Sequence, residues 1–112
     1  MITREDIEKL ATSLSKAVSY AQKYIDFPDD GTCNFDTPQI HLTGWSRDEI
    51  IKAFELAGVR CWTEEVRKSG AFVVDIIGCL SGQANQRTKM AEAIRDSLRH
   101  DGYYACVYYQ MD

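Results

Sequence analysis

Two runs of strand-forming residues stand side by side in the middle of the chain. They are VRCWTEEVR (59–67) and AFVVDIIG (71–78), both rich in β-branched or aromatic residues, with KSG (68–70) between them. Two such runs joined by a short loop containing glycine are typical of a β-hairpin. The sequence therefore predicts a sheet that contains at least these two strands.

A helix is predicted on each side of the hairpin. Before it, RDEIIKAFELA follows Ser46, which caps the helix with Glu49 as the capping-box partner, and the helix ends at Gly58. After it, a helix is predicted over Ala84–His100. The apolar face of this last helix consists of Ala84, Ala91, Ile94 and Leu98.

The outermost segments of this region are predicted strands. PQIHLTG (38–44) alternates apolar and polar residues, and YYACVYYQM (103–111) has the residue types and length of a strand. The order over residues 37–111 is therefore β-α-β-β-α-β, the split βαβ arrangement of ferredoxin-like domains. Right-handed crossovers predict an α+β fold whose antiparallel sheet has the order 4-1-3-2 with both helices on one face.

An additional helix is predicted at the N-terminus, from about Arg4 to Tyr24. Apolar residues recur there at three- and four-residue spacings, and Thr3 and Asp6 form a capping box at its start. We expect one domain over residues 1–112, with the helical segment in 1–27 and the βαββαβ core in 37–111, because the chain is long enough for one core and too short for two.

Strand alternation divides the sheet into two faces. In AFVVDII the residues predicted to face the helices are Phe72, Val74 and Ile76. The residues predicted on the opposite face are His41, Val73, Asp75, Ile77, Tyr104, Cys106 and Tyr108. This face is apolar enough to need a cover or a role. We expect the N-terminal helix to cover it; otherwise the face contacts a partner, a second copy or a ligand.

Charge and hydropathy exclude some classes of function. The formal net charge is −4 and the sequence pI is about 5.1, which argues against binding to a nucleic-acid backbone. The third-strand pattern of RNA-recognition domains matches only partly, since Gly70 and Asp75 stand where aromatic residues are usual. We expect no membrane span and no leader segment, and a cytoplasmic location.

The cysteines and histidines show no metal-binding or catalytic spacing. The four cysteines are widely spaced without a CxxC pair, so we expect free thiols and neither a metal nor a cofactor. Cys33, His41 and Asp36 are nominal candidates for a thiol nucleophile, its base and the group that orients the base. An enzyme is nevertheless the weakest of the classes that the sequence supports, and no catalytic residue is assigned.

The segment GCLSGQANQRTK (78–89) leads from a strand through glycines into a helix. Exposed amides at a helix start favour an anion such as phosphate. A site here would use Ser81, Gly82, Arg87 and Lys89, although neither of the common glycine-rich phosphate motifs is present. A simple capped turn explains the same residues.

The sequence thus predicts a small, non-enzymatic protein-binding module, a regulator or an inhibitor, that acts through its sheet face or its edge strand. Trp62, Tyr104 and Tyr108 are the expected anchors, with Asp75 and His41 as polar neighbours, because tyrosine and tryptophan are favoured at interfaces. The partner is another protein or a second copy, as a homodimer. The alternative is a small-ligand or nucleotide-binding domain that uses the turn of residues 78–89.

Overall fold

Helices and strands follow one another in the predicted order. The computed structural model describes residues 1–24, 36–66, 71–77 and 84–109. The elements are α1 (Arg4–Ala21), a 3-10 turn (Gln22–Tyr24), β1 (Thr37–Thr43), α2 (Arg47–Ala57), β2 (Arg60–Val66), β3 (Ala71–Ile77), α3 (Ala84–His100) and β4 (Tyr104–Tyr108). The hairpin loop at 68–70 lies outside the described residues. None of the described helices is long and apolar enough to cross a bilayer.

The four strands form one antiparallel sheet in the order β2-β3-β1-β4. This is the predicted order written from the other edge, so the ferredoxin-like α+β prediction is confirmed. The register places Ile40 of β1 opposite Val74 of β3 on one side and opposite Ala105 of β4 on the other. Buried side chains therefore form a continuous row across the three strands.

The capping predictions are confirmed at both helix starts. The Thr3 hydroxyl accepts from the Asp6 amide at 3.2 Å, and the Asp6 carboxylate accepts from the Thr3 amide at 2.9 Å. Ser46 and Glu49 form the same pair of bonds at 3.2 and 2.8 Å. Gly58 ends α2 with a φ of 70°, a left-handed conformation that glycine adopts without a steric penalty.

The core lies between the sheet and the helices. On the sheet, Val74 and Ile76 are fully buried as alternation predicts, and Phe72 packs partly buried against the same cluster. From the helices, Phe54 of α2 and Ile94 of α3 join that cluster. The polar, aromatic side of the sheet accordingly faces away from the helices.

Helix α1 does not occupy the place that the sequence suggested. It packs across α2 and α3, on the helix side of the sheet, and no described helix packs on the outward face, so the expectation that α1 covers that face is wrong. A helix on the outward face would desolvate the Asp75 carboxylate, which is costly. Helix α3, on which α1 packs, buries Met90, Ala91, Ala93, Ile94 and Leu98.

Polar contacts fix α1 to the turn that follows α3. The Lys16 ammonium lies 2.6 Å from the Asp101 carboxylate. The hydrogen bond from Lys16 is the largest cause of a lowered pKa of the Asp101 carboxyl, and a hydrogen bond from the buried Ser13 lowers it further. On the other side, the Ser15 hydroxyl donates to the Ala57 carbonyl at 3.3 Å. Helix α1 is thus tied to both neighbouring helices.

Two leucine truncations test this placement. Leu14 of α1 is fully buried, whereas Leu56 of α2 is 59% exposed. Replacing Leu14 by Ala removes core contacts and leaves a cavity, so we expect a loss of about 2–5 kcal/mol in the free energy of unfolding. Leu56→Ala is the matched control and should cost well under 1 kcal/mol. Chemical denaturation measures both, and equal losses would contradict the packing of α1.

Candidate functional site

The sheet register brings the predicted site residues together on the outward face. Asp75 of β3 lies opposite Trp62 of β2 and also opposite Gln39 of β1. Two residues beyond Gln39, His41 of β1 lies opposite Tyr104 of β4. Side chains two residues apart on a strand share a face, so all of these point away from the helices.

A chain of hydrogen bonds crosses this face from β3 to β4. The Gln39 amide nitrogen donates to the Asp75 carboxylate at 2.7 Å, and the Cys106 thiol donates to the Gln39 amide oxygen at 3.6 Å. His41 Nε2 lies 3.4 Å from Cys106 Sγ. The direction of this last contact depends on which ring nitrogen of His41 carries the proton. The four side chains therefore form one polar chain.

Exposed aromatic side chains surround this polar chain. Trp62 is 66% exposed, Tyr104 is 70% exposed and Tyr108 is 54% exposed. The His41 and Tyr104 rings meet edge to face, with centroids 4.7 Å apart and an interplanar angle of 71°. Edge-to-face contact is a favoured arrangement of aromatic rings, so His41 holds one side of the Tyr104 ring.

The surroundings of the thiol in the polar chain raise its pKa. Burial raises the pKa of Cys106 and the nearby Asp75 carboxylate raises it further, against an opposing effect of Arg99 and Arg95. Since the thiolate is the reactive form, a raised pKa disfavours attack by this sulfur. The His41–Cys106 contact is accordingly no sign of thiol catalysis.

The thiol trio proposed from the sequence is not assembled among the described residues. Cys33 lies outside them. The Asp36 carboxylate accepts from the Thr88 hydroxyl of α3 at 2.6 Å and is buried, while His41 is on the outward face beside Cys106. Asp36 thus contacts α3.

The predicted anion-binding turn is only partly within the described residues. Ser81 and Gly82 lie outside them, and Lys89 is exposed on α3. Arg87 is half-buried, and its Nε donates to the Asp36 carbonyl at 3.0 Å. This guanidinium connects α3 to the start of β1, a structural role that the sequence did not reveal. Anion binding by the four residues stays a prediction.

Strand β4 forms one edge of the sheet, and its outer side is partly occupied. Arg99 Nε of α3 donates to the Ala105 carbonyl at 2.7 Å. Just past the strand, the Tyr109 hydroxyl donates to Glu92 at 2.8 Å and accepts from Arg95 at 3.3 Å. Because edge pairing needs open backbone groups, the Arg99 contact makes addition of another strand less favourable here.

Sequence reasoning missed the roles of Gln39 and Cys106. Alternation placed Cys106 on the outward face, but the contacts with Gln39 and His41 depend on the register between β1 and β4. Within the described ranges, no group of three or more His, Cys, Asp or Glu side chains is arranged to hold a metal. The described free thiols are Cys61 and Cys106.

Comparison with protein-family models, curated proteins and solved structures found no match to this chain. What the outward face can do is therefore inferred from its own residues.

Thiol alkylation tests whether Cys106 is activated. Its raised pKa leaves less thiolate near pH 8 than in an unfolded chain, so iodoacetamide should modify Cys106 severalfold more slowly in the folded protein than in urea. Peptide mass spectrometry follows each site separately. Burial also raises the pKa of Cys61, which serves as the internal control. Faster modification of Cys106 in the folded state would indicate that His41 acts as its base.

Proposed function

We propose that this chain is a small, non-enzymatic protein-binding module that contacts its partner through the outward face of the sheet. The observation that supports this most directly is the set of exposed aromatic residues, Trp62, Tyr104 and Tyr108, on a face where no described helix packs. Large exposed apolar side chains grouped on one face are a common mark of an interaction site.

The aromatic residues are suited to act as anchors. Tyrosine and tryptophan dominate the binding energy of many interfaces because each buries a large body while keeping one polar group for a hydrogen bond. Trp62 lies on β2, and Tyr104 and Tyr108 lie on β4, at opposite edges of the sheet. A partner that contacts both edges must extend over the polar chain between them.

The polar chain would give this contact its specificity. Asp75 and His41 are held in place by neighbours, Asp75 by Gln39 and His41 by Cys106 and Tyr104. A partner that buries the Asp75 carboxylate with only the Gln39 amide as its donor loses affinity, because a buried charge without an opposite charge is costly. Together with the net charge of −4, this favours a partner with basic or amide side chains at the contact.

The face is a better candidate than the edge strand. Strand addition at β4 would compete with the hydrogen bond from Arg99 to the Ala105 carbonyl, whereas contact through the face leaves that bond intact. A second copy and a different protein are both partners that such a face can accept. In either case we propose a cytoplasmic regulator or inhibitor of a larger assembly that catalyses no reaction.

Matched tyrosine truncations test this function. Tyr108 and Tyr109 are adjacent and 54% and 55% exposed, but Tyr108 is on the outward face and Tyr109 contacts α3. We expect Tyr108→Ala, alone or with Trp62→Ala, to weaken association at least tenfold, whereas Tyr109→Ala leaves it nearly unchanged. Sedimentation velocity over a concentration series detects self-association.

If the natural chain sediments as a monomer, a photo-crosslinking amino acid can be placed at Tyr104 and, as a control, at Tyr109. Crosslinking in the source cells should then give one defined protein adduct from position 104 and not from position 109. Equal adducts from the two positions, or equal loss of self-association in the two truncations, would contradict binding through the face. Thermal unfolding of each variant checks that the fold is retained.

A further inference from the structure

Three potential metal ligands lie side by side on the outward face. They are Cys106 Sγ, His41 Nε2 and Gln39 Oε1, contributed by strands β4 and β1. The sulfur is 3.4 Å from the imidazole nitrogen and 3.6 Å from the amide oxygen. Thiolate and imidazole are the ligand types that zinc and related soft cations prefer.

These separations match the edges of a coordination tetrahedron. Zinc lies about 2.3 Å from sulfur and about 2.0–2.2 Å from nitrogen or oxygen ligands, so tetrahedral angles separate a sulfur from a neighbouring ligand by about 3.5 Å. Both measured separations from Cys106 Sγ are within 0.1 Å of that spacing. An ion can therefore contact the sulfur and either neighbour without rearrangement of the strands.

Asp75 supports this arrangement from outside the three ligands. By accepting from the Gln39 amide nitrogen at 2.7 Å, it turns the amide oxygen of Gln39 toward Cys106. Carboxylates that orient ligands in this way are a regular feature of metal sites. The Asp75 charge also favours a cation nearby, because opposite charges attract across a partly buried site.

We propose that Cys106, His41 and Gln39 bind a thiophilic divalent cation of the zinc class, with Asp75 positioning Gln39. On binding, the Cys106 S–H proton passes to solvent and the thiolate sulfur bonds the ion. His41 contributes the Nε2 lone pair, with its proton on Nδ1. The fourth position faces outward, where water completes the coordination. This site is independent of the proposed protein-binding function, although both use the same face.

The ligand set makes this site weaker than a four-ligand structural zinc site. Cys106 and His41 are the usual ligand types, and Gln39 adds a neutral amide oxygen in place of a further thiolate or imidazole. We therefore expect saturable binding that is not needed for folding. A chain that is folded without metal would distinguish this site from structural zinc sites, whose metal-free chains are unfolded.

Titration of the full natural chain with Co²⁺ tests the proposal. We expect a thiolate-to-cobalt charge-transfer band that saturates at one equivalent and that Zn²⁺ then displaces. Cys106→Ser should abolish the band, His41→Ala should weaken binding at least tenfold, and Asp75→Asn should weaken it about tenfold. Cys61→Ser, which removes the half-buried thiol of β2, should leave the titration unchanged.

Persistence of the band in Cys106→Ser, unchanged affinity in His41→Ala, or the lack of any band would overturn the proposal. Thermal unfolding without metal checks that each variant folds. Cadmium NMR of the natural chain gives a second test that needs no substitution, since the chemical shift reports the ligand atoms. A shift typical of one sulfur with nitrogen and oxygen ligands supports the site, and an all-oxygen shift overturns it.

Discussion

The antiparallel register of β1 between β3 and β4 is the constraint on which the rest of this structure depends. With Ile40 opposite both Val74 and Ala105, alternate residues of the three strands face the helices, and Ile40, Val74 and Ala105 are buried there. The remaining residues must then face outward together, and so Gln39 comes to lie between Asp75 and Cys106. A slip of one residue would bury the carboxylate and expose the core row, so burial of the apolar row also fixes the site.

Much of this fold can be predicted from the sequence because several local signals agree. The capping boxes at Thr3 and Ser46, the left-handed Gly58 and the alternation of AFVVDII each specify one element, and together they specify the order of elements. The position of α1 is different. An apolar stripe shows that a helix is buried, but it does not say which surface buries it. That choice depends on the whole outer surface of α2 and α3, including the small residues of α3, and on the cost of covering Asp75.

The outward site could be predicted only in part for a related reason. Alternation is enough to place His41, Asp75, Tyr104 and Tyr108 on one face. Cys106 lies directly opposite Gln39 and diagonal to His41, so these contacts need the register between β1 and β4 as well as side-chain directions. Likewise, nothing in the spacing of Arg87 or Arg99 indicates that the first contacts the Asp36 carbonyl and the second the Ala105 carbonyl. Each of these bonds joins residues whose proximity follows from the fold.

The position of α1 has a consequence for how this chain can change over time. Because α1 joins α2 and α3 on the helix side, the residues that hold the fold together lie on the opposite side of the sheet from Trp62, Tyr104 and Tyr108. Substitutions at such exposed positions usually alter folding free energy by only about 0.5 kcal/mol. The outward face can therefore accumulate changes in shape and charge while the scaffold beneath it stays intact, without a matching loss of stability.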